Sequence, residues 1–279
     1  MVTIDQNQDV EDVKMPLLDH MIELRRRLMW SVACILVLFV MIFPFAEDVY
    51  QFLVQPLAEI FEEMGGQRRL IFTALHEAFF TYIKLSLISA LFIAFPFISM
   101  QFWMFVAPGL YNNEKKALAP FLVATPVLFF MGGAMVYFIV MPWAYEFLLA
   151  FELEGGPGSL PIVSEPKVNE YLSLSINLIF AFGICFELPV VLTLLGRIGM
   201  ISSRGMVEKR KYAILISFVV AAIITPPDVI SQVMLALVLI LLYEISIFSV
   251  RLIERDSGKV ADGDKDIDSA EKADAASEA

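Results

Sequence analysis

Three carboxylates in this chain stand where they would have to do something. Glu23 lies in LLDHMIELRRRLMW (17–30), just ahead of the first long apolar run and beside Arg25, Arg26 and Arg27. On a helix, Asp19, Glu23 and Arg27 share one face at i, i+4 spacing. An acid at a membrane surface among bases is either a local salt bridge or a docking point for an incoming cation. Glu114, beside Lys115 and Lys116 in FWMFVAPGLYNNEKK (102–116), has a parallel pair of readings. It is a capping or salt-bridged acid before a helix, where the dipole favours it, or a binding group. Glu187 lies deep in the apolar stretch AFGICFELPVVLTLL (181–195). An ionised side chain at bilayer depth costs on the order of 3 kcal/mol to insert and marks a functional site by default. The bland alternative is a protonated or hydrogen-bonded acid between packed helices. Pro189 follows two residues later and should loosen the backbone there.

These groups must be positioned by helices in a membrane. The chain is 58% apolar with a mean hydropathy of +0.73, against about 45–50% apolar in soluble domains. The bilayer is therefore its solvent. The net charge of -11 does not imply a basic partner or nucleic acid, because many of the acids gather in the last residues and in two long loops. Cys34 and Cys185 both sit in apolar runs and read as small buried hydrophobes, not as a disulfide. Residues 1–20 are acidic and lack an apolar centre, so no cleavable signal peptide is expected and the first run stays in the membrane. No glycine-rich phosphate loop and no serine–histidine arrangement is present. No catalysis, cofactor or metal site is expected.

Six apolar segments are legible, at 28–45, 77–107, 118–145, 170–196, 212–225 and 229–248. The expected fold is all-α, a polytopic bundle of six membrane helices occupying 16–250. It is flanked by a cytoplasmic tail over 1–15 and a disordered acidic tail over 251–279. A crossing needs about 20 residues, so the last two helices read as short, joined by a tight turn at Thr225-Pro226-Pro227-Asp228. Lys and Arg number sixteen in the two tails and the 108–117 and 197–211 loops, against three in the other loops. That bias puts both termini in the cytoplasm and His20 and His76 on opposite sides, so they form no metal pair. Residues 46–76 carry a helix-like pattern interrupted at Pro56, which reads as a short helix over the outer mouth. Lys84 can snorkel to the interface, Trp103 and Tyr111 suit the interface belt, and Gln232 can bond a neighbouring helix.

Four motifs occur together in order: HMIELRRRL, FWMFVAPGLYNNEKK, FGICFELPV and ITPPDVISQ. Over about 15–250 the chain resembles the TatC family, the multi-spanning receptors of the twin-arginine protein translocase. The resemblance implies a receptor in the bacterial inner membrane that exports folded proteins independently of Sec. It binds twin-arginine signal peptides at its cytoplasmic face. Partners would be TatA- and TatB-type single-span subunits and other TatC copies, with transport driven by the proton-motive force. The implied signal-peptide site is Glu23, Phe105, Leu110 and Glu114, with Arg25 alongside. Glu187 is the implied intramembrane polar group, opening on a concave groove. Pro56, Asp228 and Gln232 are implied in partner docking. Lys115-Lys116 departs from the arginines that relatives often carry there, which keeps the charge but loses the planar fork. The alternative is a proton-coupled small-solute transporter using Glu187 as its relay. The repeat symmetry and broken helices usual in transporters are missing from this sequence.

Overall fold

The structure, a computed structural model, describes residues 17–65, 68–106, 119–152, 160, 164–225 and 229–277. Helix α1 (Leu17–Ile42) passes through one 3-10 turn (Phe43–Phe45) into α2 (Ala46–Met64). Then come α3 (Glu77–Val106) and α4 (Ala119–Met135), the latter continuing through a π-helical segment (Val136–Val140) into α5 (Met141–Leu149). Helices α6 (Val168–Cys185) and α7 (Leu188–Arg197) form a broken rod. Helix α8 (Ser203–Glu208) leads to α9 (Arg210–Ile224) and α10 (Val229–Ser277). No β-strand occurs among the described residues; one parallel bridge, Ile71 to Lys167, ties the loop before α3 to the start of α6.

Prolines make the joints. Pro44 lies in the 3-10 turn between α1 and α2. Pro142 opens α5 directly after the π-helical segment. Pro189 opens α7 and cannot supply the N–H that the Cys185 carbonyl would otherwise receive. The rod accordingly breaks at Phe186-Glu187.

Five stretches are long and apolar enough to cross a membrane: Asp19–Met64, Glu77–Val106, Pro120–Leu149, Val168–Arg197 and Val229–Arg255. The protein is thus an all-helical, multi-pass chain. Helix α9 has 15 residues, about 22 Å, short of the ~30 Å hydrocarbon core. The expectation that both of the last two helices are short holds for α9 alone. The final stretch, Val229–Arg255, has 27 residues; it runs past 248 to Glu254, whose Oε1 accepts the Ser203 amide at 2.8 Å, and its earlier polar members also find partners on other elements. The Tyr243 hydroxyl donates to the Met206 carbonyl at 2.9 Å, and Arg210 Nη2 donates to Glu244 Oε2 at 2.6 Å. Composition assigns no fold to the tail beyond Asp256, whereas the backbone of α10 continues through it to Ser277. Ala, Glu and Lys support such a continuation by propensity alone.

A second correction concerns Pro56, which lies buried inside α2 and does not interrupt it. Proline lacks an N–H, so the Phe52 carbonyl four residues earlier loses its helical donor. The Tyr137 hydroxyl replaces that donor at 2.8 Å, and Tyr171 donates to the next carbonyl, Leu53, at 2.7 Å. Tyr171 in turn is part of a buried set in which Tyr145 and Ser175 hydroxyls meet at 2.6 Å. Helix α2 is thereby fastened across the ends of α3, α5 and α6, as the apolar pattern of 46–76 predicts. The start of α1, the end of α3, and α8 lie at the opposite end of the bundle.

The centre is packed at glycines. A Cβ on Gly132 would meet the Phe182 carbonyl oxygen at 2.8 Å, and one on Gly183 would meet the Phe129 ring at 2.7 Å. Helices α4 and α6 therefore touch backbone to backbone. Gly132→Ala presses on main chain that cannot rotate away and should destabilise by about 1–3 kcal/mol. Thermal unfolding in detergent should show a lower midpoint for it and an unchanged one for Val123→Ala, on an exposed face.

Candidate functional site

Two polar clusters meet at the end of the bundle where α1 begins, and the last turns of α3 form the wall between them. On the α1 side, Arg27 Nε donates to Glu23 Oε1 at 2.9 Å and its Nη2 bonds the same oxygen. Arg27 Nη1 reaches Gln101 Oε1 on α3 at 3.4 Å. Four residues beyond Gln101, Phe105 stacks on His20 with ring centroids 4.2 Å apart and planes inclined by 17°. Gln101 and Phe105 share one face of α3 and take hold of α1 through Arg27 and His20. The Glu23 and Arg27 side chains retain only 14% and 17% exposure, so the pair is partly shielded from water.

The i, i+4 salt bridge anticipated for Glu23 is formed. Both donors land on Oε1, so this is not the two-oxygen fork. The shape of the cluster is a carboxylate already holding one guanidinium, with an aromatic plate beside it. Arg25 is exposed and has no ion pair among the described residues. Leu110 and Glu114 lie outside the described residues, as does Asp228.

The other face of α3 carries Trp103. The sequence reading put it in the interface belt, but it is 4% exposed and packs with Phe121 and Val190. Its indole N–H donates to Thr125 Oγ1 on α4 at 3.0 Å, which is what allows an indole to be buried. The Thr125 side chain is in turn a neighbour of the Glu187 carboxyl. Glu187 stands at the α6–α7 break as the first cap of α7. Its Oε1 is buried with no hydrogen-bond partner among the described residues. Such an atom is expensive in a low-dielectric interior.

Glu23 and Phe105 are thus brought together, and Glu187 comes within one helix of them. Pro56 is at the other end in α2, and Gln232, half-buried, is in the first turn of α10. Sequence reasoning missed Gln101, His20 and Thr125. Gln101 and His20 had a usable signal, since each lies four residues or fewer from a group already singled out. Thr125 had none, because a threonine in an apolar helix usually bonds its own backbone. Among the described residues no group of three His, Cys, Asp or Glu side chains could hold a metal ion.

If Thr125 holds the Glu187 carboxyl, Thr125→Val leaves two buried partners unmet and should cost about 1–3 kcal/mol. Combined with Glu187→Gln, the effects on thermal unfolding should be non-additive by about 0.5 kcal/mol or more. Simple additivity would show that the two side chains act separately.

A family model for Sec-independent protein translocase protein (TatC) matches residues 19–237. The Sec-independent protein translocase protein TatC of Magnetococcus marinus is 53% identical over 249 residues, covering 89% of this chain and 88% of that protein. The protein of the same name from Escherichia coli is 38% identical, covering 87% of this chain and 90% of its own length. A crystal structure of the twin arginine translocase receptor TatC superposes with a TM-score of 0.70 at 39% identity. It covers 84% of this chain and 99% of its own. These matches support a protein translocase and not the solute transporter that Glu187 alone left open. The chain belongs to the TatC family of Sec-independent protein translocase proteins.

Proposed function

We propose that this chain is the receptor of a twin-arginine translocase, and that it binds the paired arginines of signal peptides on folded cargo at its cytoplasmic face. The observation that carries this reading is the Glu23 cluster: a partly shielded carboxylate already bound to a guanidinium, beside a stacked aromatic pair. A guanidinium presents a planar set of donors to a carboxylate, whereas an ammonium is a hydrated point charge. Such a site prefers Arg to Lys by shape. Glu114 would supply the second carboxylate for the second arginine, with Phe105 and Leu110 as apolar walls and Arg25 alongside.

Both termini face the cytoplasm in this reading, on the Lys and Arg bias, and the membrane is the bacterial inner membrane. Helix α9 makes a sixth, short crossing and thins the bilayer locally. Glu187 opens on a concave groove that receives the apolar part of the signal peptide. Helices α9 and α10, with Gln232 and Asp228, form the docking face for TatA- and TatB-type single-span subunits. Pro56 in the α2 cap contributes to assembly with partners, including other TatC copies. The chain has no reaction of its own, and the proton-motive force drives transport.

Photocrosslinking in membranes from a photoreactive residue placed beside the paired arginines of the signal peptide tests the receptor assignment. An Arg-Arg signal peptide should crosslink and a Lys-Lys peptide should not. Glu114→Ala should abolish the product and Glu23→Ala should weaken it, each by about 2–5 kcal/mol in binding, with insertion unchanged. Normal crosslinking in both variants would defeat the assignment. Export by Glu187→Ala should fall; unchanged export would return Glu187 to a purely structural part.

A further inference from the structure

We infer that the seam between α3 and α6, at the end capped by α2, binds one phospholipid, with its phosphate on Lys84 and an acyl chain below. Two cavities lie in line along this seam. The upper, of about 430 Å³, is polar, and its walls include Thr81, Lys84, Lys167 and Asn169. The lower, of about 340 Å³, is apolar, with Leu85 and Phe92 of α3 on one wall, Ile176 and Phe180 of α6 on another, Ala134 of α4 between them and Phe52 of α2 closing its end. Thr81, Leu85, Ile88 and Phe92 follow i, i+4, i+7, i+11 spacing on α3; Asn169, Ser173, Ile176 and Phe180 repeat it on α6. Each set is one helix face. A polar space therefore passes into an apolar one along the same two faces, in the order headgroup then tail.

Lys84 stands at the junction. Its ammonium donates to Ser173 Oγ at 2.6 Å, and that hydroxyl passes its own proton to the Asn169 carbonyl at 2.6 Å. Two of the three ammonium N–H groups remain available, and no carboxylate pairs with Lys84 among the described residues. The other charges of the upper cavity are already engaged with each other or with backbone. Lys167 sits 3.4 Å from Glu170, and Glu77 Oε2 accepts the Thr73 and Ala74 amides at 2.7 and 3.3 Å. Lys84 is the cation of this cavity that no carboxylate meets at ion-pair distance among the described residues, and a phosphodiester supplies such a partner. Leu85 to Ile93 spans about 12 Å, close to one leaflet of a ~30 Å hydrocarbon core. A helix about 10 Å across does not fit the lower cavity, so an acyl chain is the occupant.

The test uses the full chain in vesicles of phosphatidylethanolamine and phosphatidylglycerol doped with a mid-chain diazirine phosphatidylethanolamine. After irradiation, peptides are mapped by mass spectrometry. Label should concentrate on residues 85–93 and 176–180 above the exposed 123–131 face. Lys84→Gln should lower the seam label about tenfold, the loss of one charged contact, with Lys84→Arg near wild type. Ala134→Phe, which fills the lower cavity, should remove the seam label while the thermal midpoint confirms folding. Uniform labelling, an unaltered Lys84→Gln pattern, or equal seam label from a diacylglycerol probe lacking phosphate would each overturn the proposal.

Discussion

Polar groups inside a bilayer find partners in the protein or go without, because no water is there to serve them. Most of this structure follows from that constraint. The chain needs joints where helices break or change pitch, and it makes them with prolines, each of which strips a donor from a carbonyl. At Pro56 the debt is met from outside the helix: Tyr137 bonds the orphaned Phe52 carbonyl, and Tyr171 bonds the next one. The same two bonds fix α2 across the bundle end. A helix that could have been one more crossing becomes a cap because its own weak point is where its neighbours hold it.

The same rule makes the incompletely served groups informative. Trp103 buries its ring by handing its N–H to Thr125, and Thr125 neighbours Glu187, yet Glu187 Oε1 is left over. A buried carboxylate oxygen without a partner costs free energy in that setting. Helix α3 links these places. Lys84 lies near one end, and the faces bearing Gln101 with Phe105 and bearing Trp103 lie at the other. A load on the Glu23 cluster therefore reaches the helix whose opposite face carries Trp103, beside Thr125 and Glu187, with only Phe102 between Gln101 and Trp103.

Much of the fold was legible because the signals are simple. Long apolar runs gave the helices, and their polar interruptions gave the ends. The Glu23–Arg27 pair was visible from i, i+4 spacing, and the break near Glu187 from Pro189. The errors have a common cause. Polarity ends a run on paper, but Glu254 beyond 248 is met by the Ser203 amide from α8, and Pro56 is tolerated because two tyrosines answer it. Trp103 was misplaced for the same reason: its partner Thr125 is 22 residues away in sequence. Contacts between helices decide these positions, and one sequence carries no direct record of them.

The Glu23 cluster bears on how a receptor of this kind can be selective and still let go. Its carboxylate is already partly shielded from water and paired with Arg27. In the proposed receptor role, an incoming guanidinium would meet a site whose desolvation cost is partly incurred, and would displace Arg27 or take the oxygen that Arg27 leaves unused. Exchange of one guanidinium for another leaves a small net energy, because the bonds broken resemble the bonds made. An ammonium entering the same place gives up more hydration and cannot reproduce the planar contact. Discrimination then rests on the difference between two cations and not on the depth of one complex. Gln101, reached by Arg27 at 3.4 Å, offers the displaced guanidinium somewhere to go within α3. In the proposed role, that arrangement would favour Arg over Lys without trapping the peptide that carries it.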